Sequence, residues 1–128
     1  MIRLDDKTKQ LLVNFNITFS SFDTKFTKYP QYEFVNRFPY WGEGSVGMFG
    51  YLILWPHSTL EKLNDEYMVS EFVDDVFIIG SDGSDLAFGV NSIGEFIEMP
   101  FIGMSNESKK VIAKTFDEFI MYISRMNL

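Results

Sequence analysis

The chain has no cysteine, and His57 is its one histidine. The first absence excludes a disulfide framework, a thiolate nucleophile and thiolate metal sites. The second leaves no imidazole pair for a metal ion and one candidate general base. Its four prolines, Pro30, Pro39, Pro56 and Pro100, are too scattered for a polyproline linker. No apolar run approaches the roughly 20 residues of a membrane-spanning helix; the longest lies around Met48 to Trp55. The opening residues Met1-Ile2-Arg3-Leu4-Asp5-Asp6 lack the charged-then-apolar order of a secretory leader. These absences set the expectation of a cytoplasmic protein without a membrane anchor.

Basic residues are missing from one long stretch. Between Leu63 and Ser108 there is no Lys or Arg, while Asp65, Glu66, Glu71, Asp74, Asp75, Asp82, Asp85, Glu95, Glu98 and Glu107 all fall there. The rest of the chain carries 11 bases against eight acids, so the formal charge of −7 belongs to the middle of the sequence. Such a field repels nucleic acid and anionic membrane and attracts a basic protein. A solubilising surface accounts for the same pattern without a partner.

Aromatic residues are plentiful. Fourteen Phe, within a chain that is 46% hydrophobic, supply a core. Each contributes roughly 1.5–3 kcal/mol when buried. A length of 128 residues fits one domain over 1–128, and no repeat or low-complexity tract divides it.

Apolar spacing predicts a helix over Ile2 to Phe15, then a second short helix or a packed loop over Thr18 to Lys28. Pro30 suits a first helical turn, with Tyr32, Val35 and Phe38 on one face and Pro39 and Gly42 ending it. Met48 to Trp55 reads as a strand with Trp55 in the core. Ser58 or Thr59 caps a helix running to about Met68. Val76–Gly80 and Asp85–Val90 read as a hairpin across the turn 81–84, and Glu95–Phe101 as a further strand. Ile112, Phe116, Phe119, Ile120 and Ile123 form one helical stripe. A capping box at Thr115 and Glu118 favours a start at Thr115. The expected class is α+β: a mainly antiparallel or mixed sheet of about four to six strands, with N-terminal helices and a C-terminal helix.

Motifs for small-molecule chemistry fail on context. Gly42-x-Gly44-x-x-Gly47 has the letters of a dinucleotide fingerprint, but a strand follows where a helix N-terminus is needed. Asp82-Gly83-Ser84-Asp85 lacks the ligand spacing of a calcium loop. His57 has no nucleophile elbow near it. No catalytic residue, metal site or cofactor is expected. Tyr40 and Trp41 beside Glu43 suit either core plugs or interface anchors. Asp65, Glu66, Glu71, Asp74 and Asp75 surround Tyr67 and Phe72, an arrangement suited to a basic protein surface. Those eight residues, Tyr40, Trp41, Glu43 and the five acids, are the candidate partner-binding set.

Several segments, in order, resemble the SUKH superfamily. Pro30-x-Tyr32-x-x-Val35 is similar to its helix before a glycine-rich loop, and Gly42 and Gly44 fall where that loop is expected. Tyr51-Leu52-Ile53-Leu54-Trp55 is similar to the strand ending in Trp, with Leu60, Asn64 and Tyr67 after it. Ile79-Gly80-Ser81-Asp82-Gly83 resembles the strand-to-turn, and Thr115-Phe116-x-x-Phe119-Ile120 the closing helix. Trp41-Gly42-Glu43-Gly44 departs from the Asn-Gly-Gly common in that loop. The resemblance implies a non-enzymatic bacterial immunity protein that binds and occludes a cognate toxin; the acidic stretch, and not the family, is what suits a basic toxin domain such as a nuclease. A regulatory scaffold that binds other proteins is the alternative; neither reading involves nucleic acid or membrane as the direct partner.

Overall fold

Seven antiparallel strands lie across one sheet in the order in which the chain makes them, β1 to β7. The computed structural model describes residues 4–19, 25–38 and 40–126. The strands are β1 (Phe15–Phe19), β2 (Tyr40–Val46), β3 (Gly50–Leu54), β4 (Phe77–Ser81), β5 (Leu86–Val90), β6 (Phe96–Pro100) and β7 (Lys110–Ala113). The helices are α1 (Asp6–Leu11), α2 (Leu60–Glu66), α3 (Val69–Phe72) and α4 (Phe116–Ser124), with 3-10 turns over Pro30–Arg37 and His57–Thr59. No helix among the described residues is long and apolar enough to cross a membrane.

The α+β class and the antiparallel sheet agree with the sequence reading; the strand count does not. Three strands went unseen, for separate reasons. Phe15 continues the apolar spacing of α1, yet it opens β1. The Thr18 to Lys28 segment is no second helix at its start, since Thr18 lies in β1; positions 20–24 fall outside the described residues. Gly42 and Gly44 are not a loop but the middle of β2, where β1 passes so close that a Cβ on Gly42 would lie 1.9 Å from the Asn16 carbonyl oxygen. Ile112, assigned by its spacing to the last helix, belongs to β7. The Pro30 helix is present as a 3-10 turn burying Tyr32 and Val35; Pro39 lies outside the described residues.

One face of the sheet is fully covered. Phe116, Phe119, Ile120 and Ile123 of α4 pack there with Tyr32, Val35 and Phe38 against Leu52, Leu54, Phe77, Phe88 and Phe96. Phe96 and Phe119 stack with ring centroids 4.5 Å apart. Thr115 starts α4 as expected: its side chain accepts from the Glu118 N–H at 3.1 Å, and Glu118 accepts from the Lys114 N–H at 3.0 Å. Asp117 then accepts from the Thr8 hydroxyl at 2.6 Å, tying α1 to α4.

The opposite face is covered over β4–β6 only. There Val69, Val73, Val76 and Met104 close on Ile78, Ala87, Ile97 and Met99. Alternation along β1, β2 and β3 places Asn16, Thr18, Trp41, Glu43 and Ile53 on the uncovered part. The boundary between the two parts is a weak seam. β3 and β4 pair at only two positions, Ile53 with Ser81 and Leu54 with Gly80. The Trp55 N–H still donates to the Ile79 carbonyl at 3.0 Å, and past that bond Asn64 of α2 acts as the missing strand. Its Nδ2 donates to the Ile78 carbonyl at 2.9 Å and its Oδ1 accepts from the Ile78 N–H at 2.8 Å.

Candidate protein-docking face

Trp55 sits where β3 leaves that seam. It was expected in the core and is instead half-buried, packing against both hydrophobic clusters. Its ring lies nearly parallel to Tyr67, centroids 6.3 Å apart, and Phe101 packs on both, 5.0 Å from Tyr67 and 6.4 Å from Trp55. Tyr67 ends α2. Met68 follows in the left-handed region at φ 52°, redirecting the chain into α3 so that Phe72 comes alongside. Tyr67, Phe72, Phe101, Gly103 and Met104 line a notch of about 120 Å³. Around it, Met68 is 47% exposed, Phe72 50% and Ile102 95%, a density of apolar surface that solvent alone does not favour.

Trp55 also forms the end of a second groove, of about 350 Å³, on the uncovered part of the sheet. Asn16, Thr18, Trp41, Glu43 and Ile53 are among its other lining residues. Trp41 is thus half-buried at an edge of this groove. Glu43 is exposed and accepts a hydrogen bond from Tyr51 Oη, which raises the Tyr51 pKa. Tyr40 lies in β2; its side chain is outside the described part of the structure. Trp55 lines the groove and stacks on Tyr67, which lines the notch.

The acidic residues divide into those used inside the molecule and those left for solvent. Glu61 accepts from the backbone N–H groups of Thr27, Lys28 and Tyr29 at 3.1, 2.8 and 2.7 Å. One turn on, Asp65 takes the Lys28 ammonium and, at 2.6 Å, the Tyr29 hydroxyl. Lys28 first, then Tyr29, hold the Asp65 carboxyl below its ordinary pKa, and the same bond raises Lys28. Asp75, left-handed at φ 50°, accepts from Tyr32 Oη at 2.7 Å and from the N–H and hydroxyl of Ser92 at 3.0 and 2.8 Å. Burial first, then Asp75, push the Tyr32 hydroxyl pKa well up. Asp74 exchanges two hydrogen bonds with Asn106. Glu66 has only a loose 3.8 Å pair with Lys62.

Glu71 is exposed beside Phe72, and Asp85 is exposed with its carbonyl accepting from the Phe101 N–H at 2.9 Å. Neither carboxylate has a hydrogen bond or ion pair among the described residues. Of the eight sequence candidates, then, Asp65, Asp74 and Asp75 brace the fold, Glu66 and Glu71 are exposed chain neighbours of the notch residues Tyr67 and Phe72, and Trp41 and Glu43 line the second groove. Phe101, Ile102, Met104 and Asp85 were missed. Pro100 marks where β6 ends, but nothing in sequence brings 101–104 to Tyr67 without knowing the meander.

Two further features lie apart. A concavity of about 640 Å³ lies between α1 and α4, lined by Asp5, Asp117, Glu118, Met121, Tyr122 and Met126 among others. His57 is buried among Val35, Phe38, Leu54, Trp55, Leu60 and Ile79, its Nδ1 without a hydrogen-bond partner, and burial lowers its pKa. No group of three or more potential metal ligands gathers among the described residues. No protein-family model matches the chain, and no curated protein matches it in sequence.

Proposed function

We propose that this protein is a non-enzymatic, cytoplasmic immunity protein of SUKH type, which binds a cognate bacterial toxin and blocks it by covering its active site or substrate groove. One observation carries the reading: a cluster of half-buried and exposed aromatic rings, Trp55, Tyr67, Phe72 and Phe101, with the exposed acidic residues Glu71 next to Phe72 in the chain and Asp85 bonded through its carbonyl to the Phe101 N–H. Aromatic anchors supply most of the affinity at protein interfaces, and a charged rim sets encounter rate and partner choice. Acids without compensating bases suit a toxin with a basic surface, such as a nuclease domain that holds phosphates. The resemblance of the Tyr51–Trp55, Ile79–Gly83 and Thr115–Ile120 segments to SUKH proteins supports the same class.

The test is co-expression in a bacterial host with the C-terminal domain of a large secreted protein encoded beside this gene. Rescue of growth and a 1:1 complex by calorimetry are the expected results. Toxicity that persists despite soluble co-expression would end the immunity reading. Charge reversal belongs at Glu71 and Asp85 and not at Asp74 and Asp75, because the latter pair hold Asn106, Ser92 and Tyr32, and their reversal would disturb the fold as well.

A further inference from the structure

The notch between Tyr67, Phe72 and Phe101 has a size and chemistry of its own. We infer that it receives a single arginine side chain of the basic partner, its guanidinium stacked on the ring faces and facing the carboxylates of Glu71 and Asp85. This rests on the docking reading above and adds the identity of the anchor.

The volume of about 120 Å³ is on the scale of one long side chain. Met104, only 7% exposed, floors it with an apolar, polarizable surface for the methylene stem. Gly103 at the mouth is turned at φ 85°, and a Cβ built there meets nothing within 4 Å, so the entrance is open. Tyr67 and Phe72 are 41% and 50% exposed, so ring surface is available to a ligand. Trp55 backs Tyr67 and fixes its ring, which lowers the entropy lost on binding.

Charge decides between an apolar and a cationic occupant. The stretch from Leu63 to Ser108 supplies every wall of the notch, and all its formal charges are negative. A cation over an aromatic face gains roughly 0.5–2 kcal/mol, and arginine is the more frequent cation in such pairs. Arginine is also less strongly hydrated than lysine and gives up less on leaving water. An apolar anchor would fill the same volume but leave the acidic residues next to it, Glu71 beside Phe72 in the chain and Asp85 beside Phe101 in the sheet, without a counter-charge.

The experiment uses the intact isolated protein and needs no toxin. The ¹⁵N-labelled chain is titrated with an N-acetylated, C-amidated octa-arginine peptide and, separately, with the neutral isostere octa-citrulline. Arginine should shift the amides of Tyr67, Phe72, Phe101 and Gly103. Phe72→Ala should weaken binding at least fivefold, as should Glu71→Gln with Asp85→Asn, two exposed substitutions that leave the core untouched. Citrulline should bind at least tenfold more weakly. Equal binding of the two peptides, shifts confined to other surfaces, no binding, or self-association through Phe72 detected by sedimentation would each overturn the assignment. Arginine binding without rescue from any toxin would keep the notch and remove the immunity function; rescue without arginine binding would do the reverse.

Discussion

Asn64 does the work of a strand segment with one side chain. Its amide presents a donor and an acceptor at the spacing of a peptide group, and both meet the backbone of Ile78. Replacing it by Ala leaves a buried N–H and a buried C=O unpaired, each costing about 1–3 kcal/mol. We expect Asn64→Ala to lower the unfolding free energy by roughly 2–5 kcal/mol in urea titrations. Asn64→Leu, which restores volume without polarity, should be no better. Recovery in the leucine variant would mean that packing, not hydrogen bonding, is what Asn64 supplies. The residue itself was visible in the sequence between Leu60 and Tyr67. Its task was not, because that depends on β3 and β4 parting after two pairs, which no local pattern encodes. Asp65 and Asp75 were misread for the same reason: an acid in sequence looks solvated until the backbone that meets it is known.

Among the elements, those with strong local signals were legible and those defined by their neighbours were not. The Thr115 cap, the α4 stripe from Phe116 on, the turn at 81–84 and the strand before Trp55 all follow from residues a few positions apart. β2 is the contrary case. Two glycines within seven residues argue against a strand by propensity, yet they are needed because β1 crosses over them. The Asn16 carbonyl, 1.9 Å from a Cβ built on Gly42, is backbone and cannot swing aside. Gly42→Ala should therefore displace β1, at a cost of about 1–3 kcal/mol or more from overpacking. Amide exchange should accelerate selectively at positions 15–18. Gly94→Ala is the control: φ 88° strains it, but nothing lies within 4 Å of the added carbon, so β1 exchange should stay unchanged. Equal protection of β1 in both variants would contradict the close-approach account.

For the molecule as a whole, acid stability turns on His57. Its surroundings are Val35, Phe38, Leu54, Trp55, Leu60 and Ile79, with no carboxylate lining its cavity. Burial disfavours the imidazolium, so its pKa in the folded chain lies below the ordinary value of 6.5. The unfolded chain then binds more protons than the folded one below pH 6.5. The stabilisation is complete above that value and is lost as pH falls from it toward the depressed folded pKa. One proton limits the slope to about 1.4 kcal/mol per pH unit. Net charge opposes this in principle, since protonating acids on a chain of charge −7 relieves repulsion. Asp65, however, has its carboxyl held below the ordinary range by Lys28 and Tyr29, away from this interval. Between pH 7.5 and 5.5 the histidine therefore governs. Urea unfolding should give a lower free energy at pH 5.5 than at 7.5, and His57→Phe should flatten that difference whatever its effect at pH 7.5. A wild-type stability that is level or rising over this interval would place His57 in contact with solvent or with a counter-charge, against the apolar setting described for it. The same buried turn joins β3 to α2 beside Trp55, so the interval in which His57 begins to charge is also that in which the ring cluster of Trp55, Tyr67 and Phe101 should first loosen.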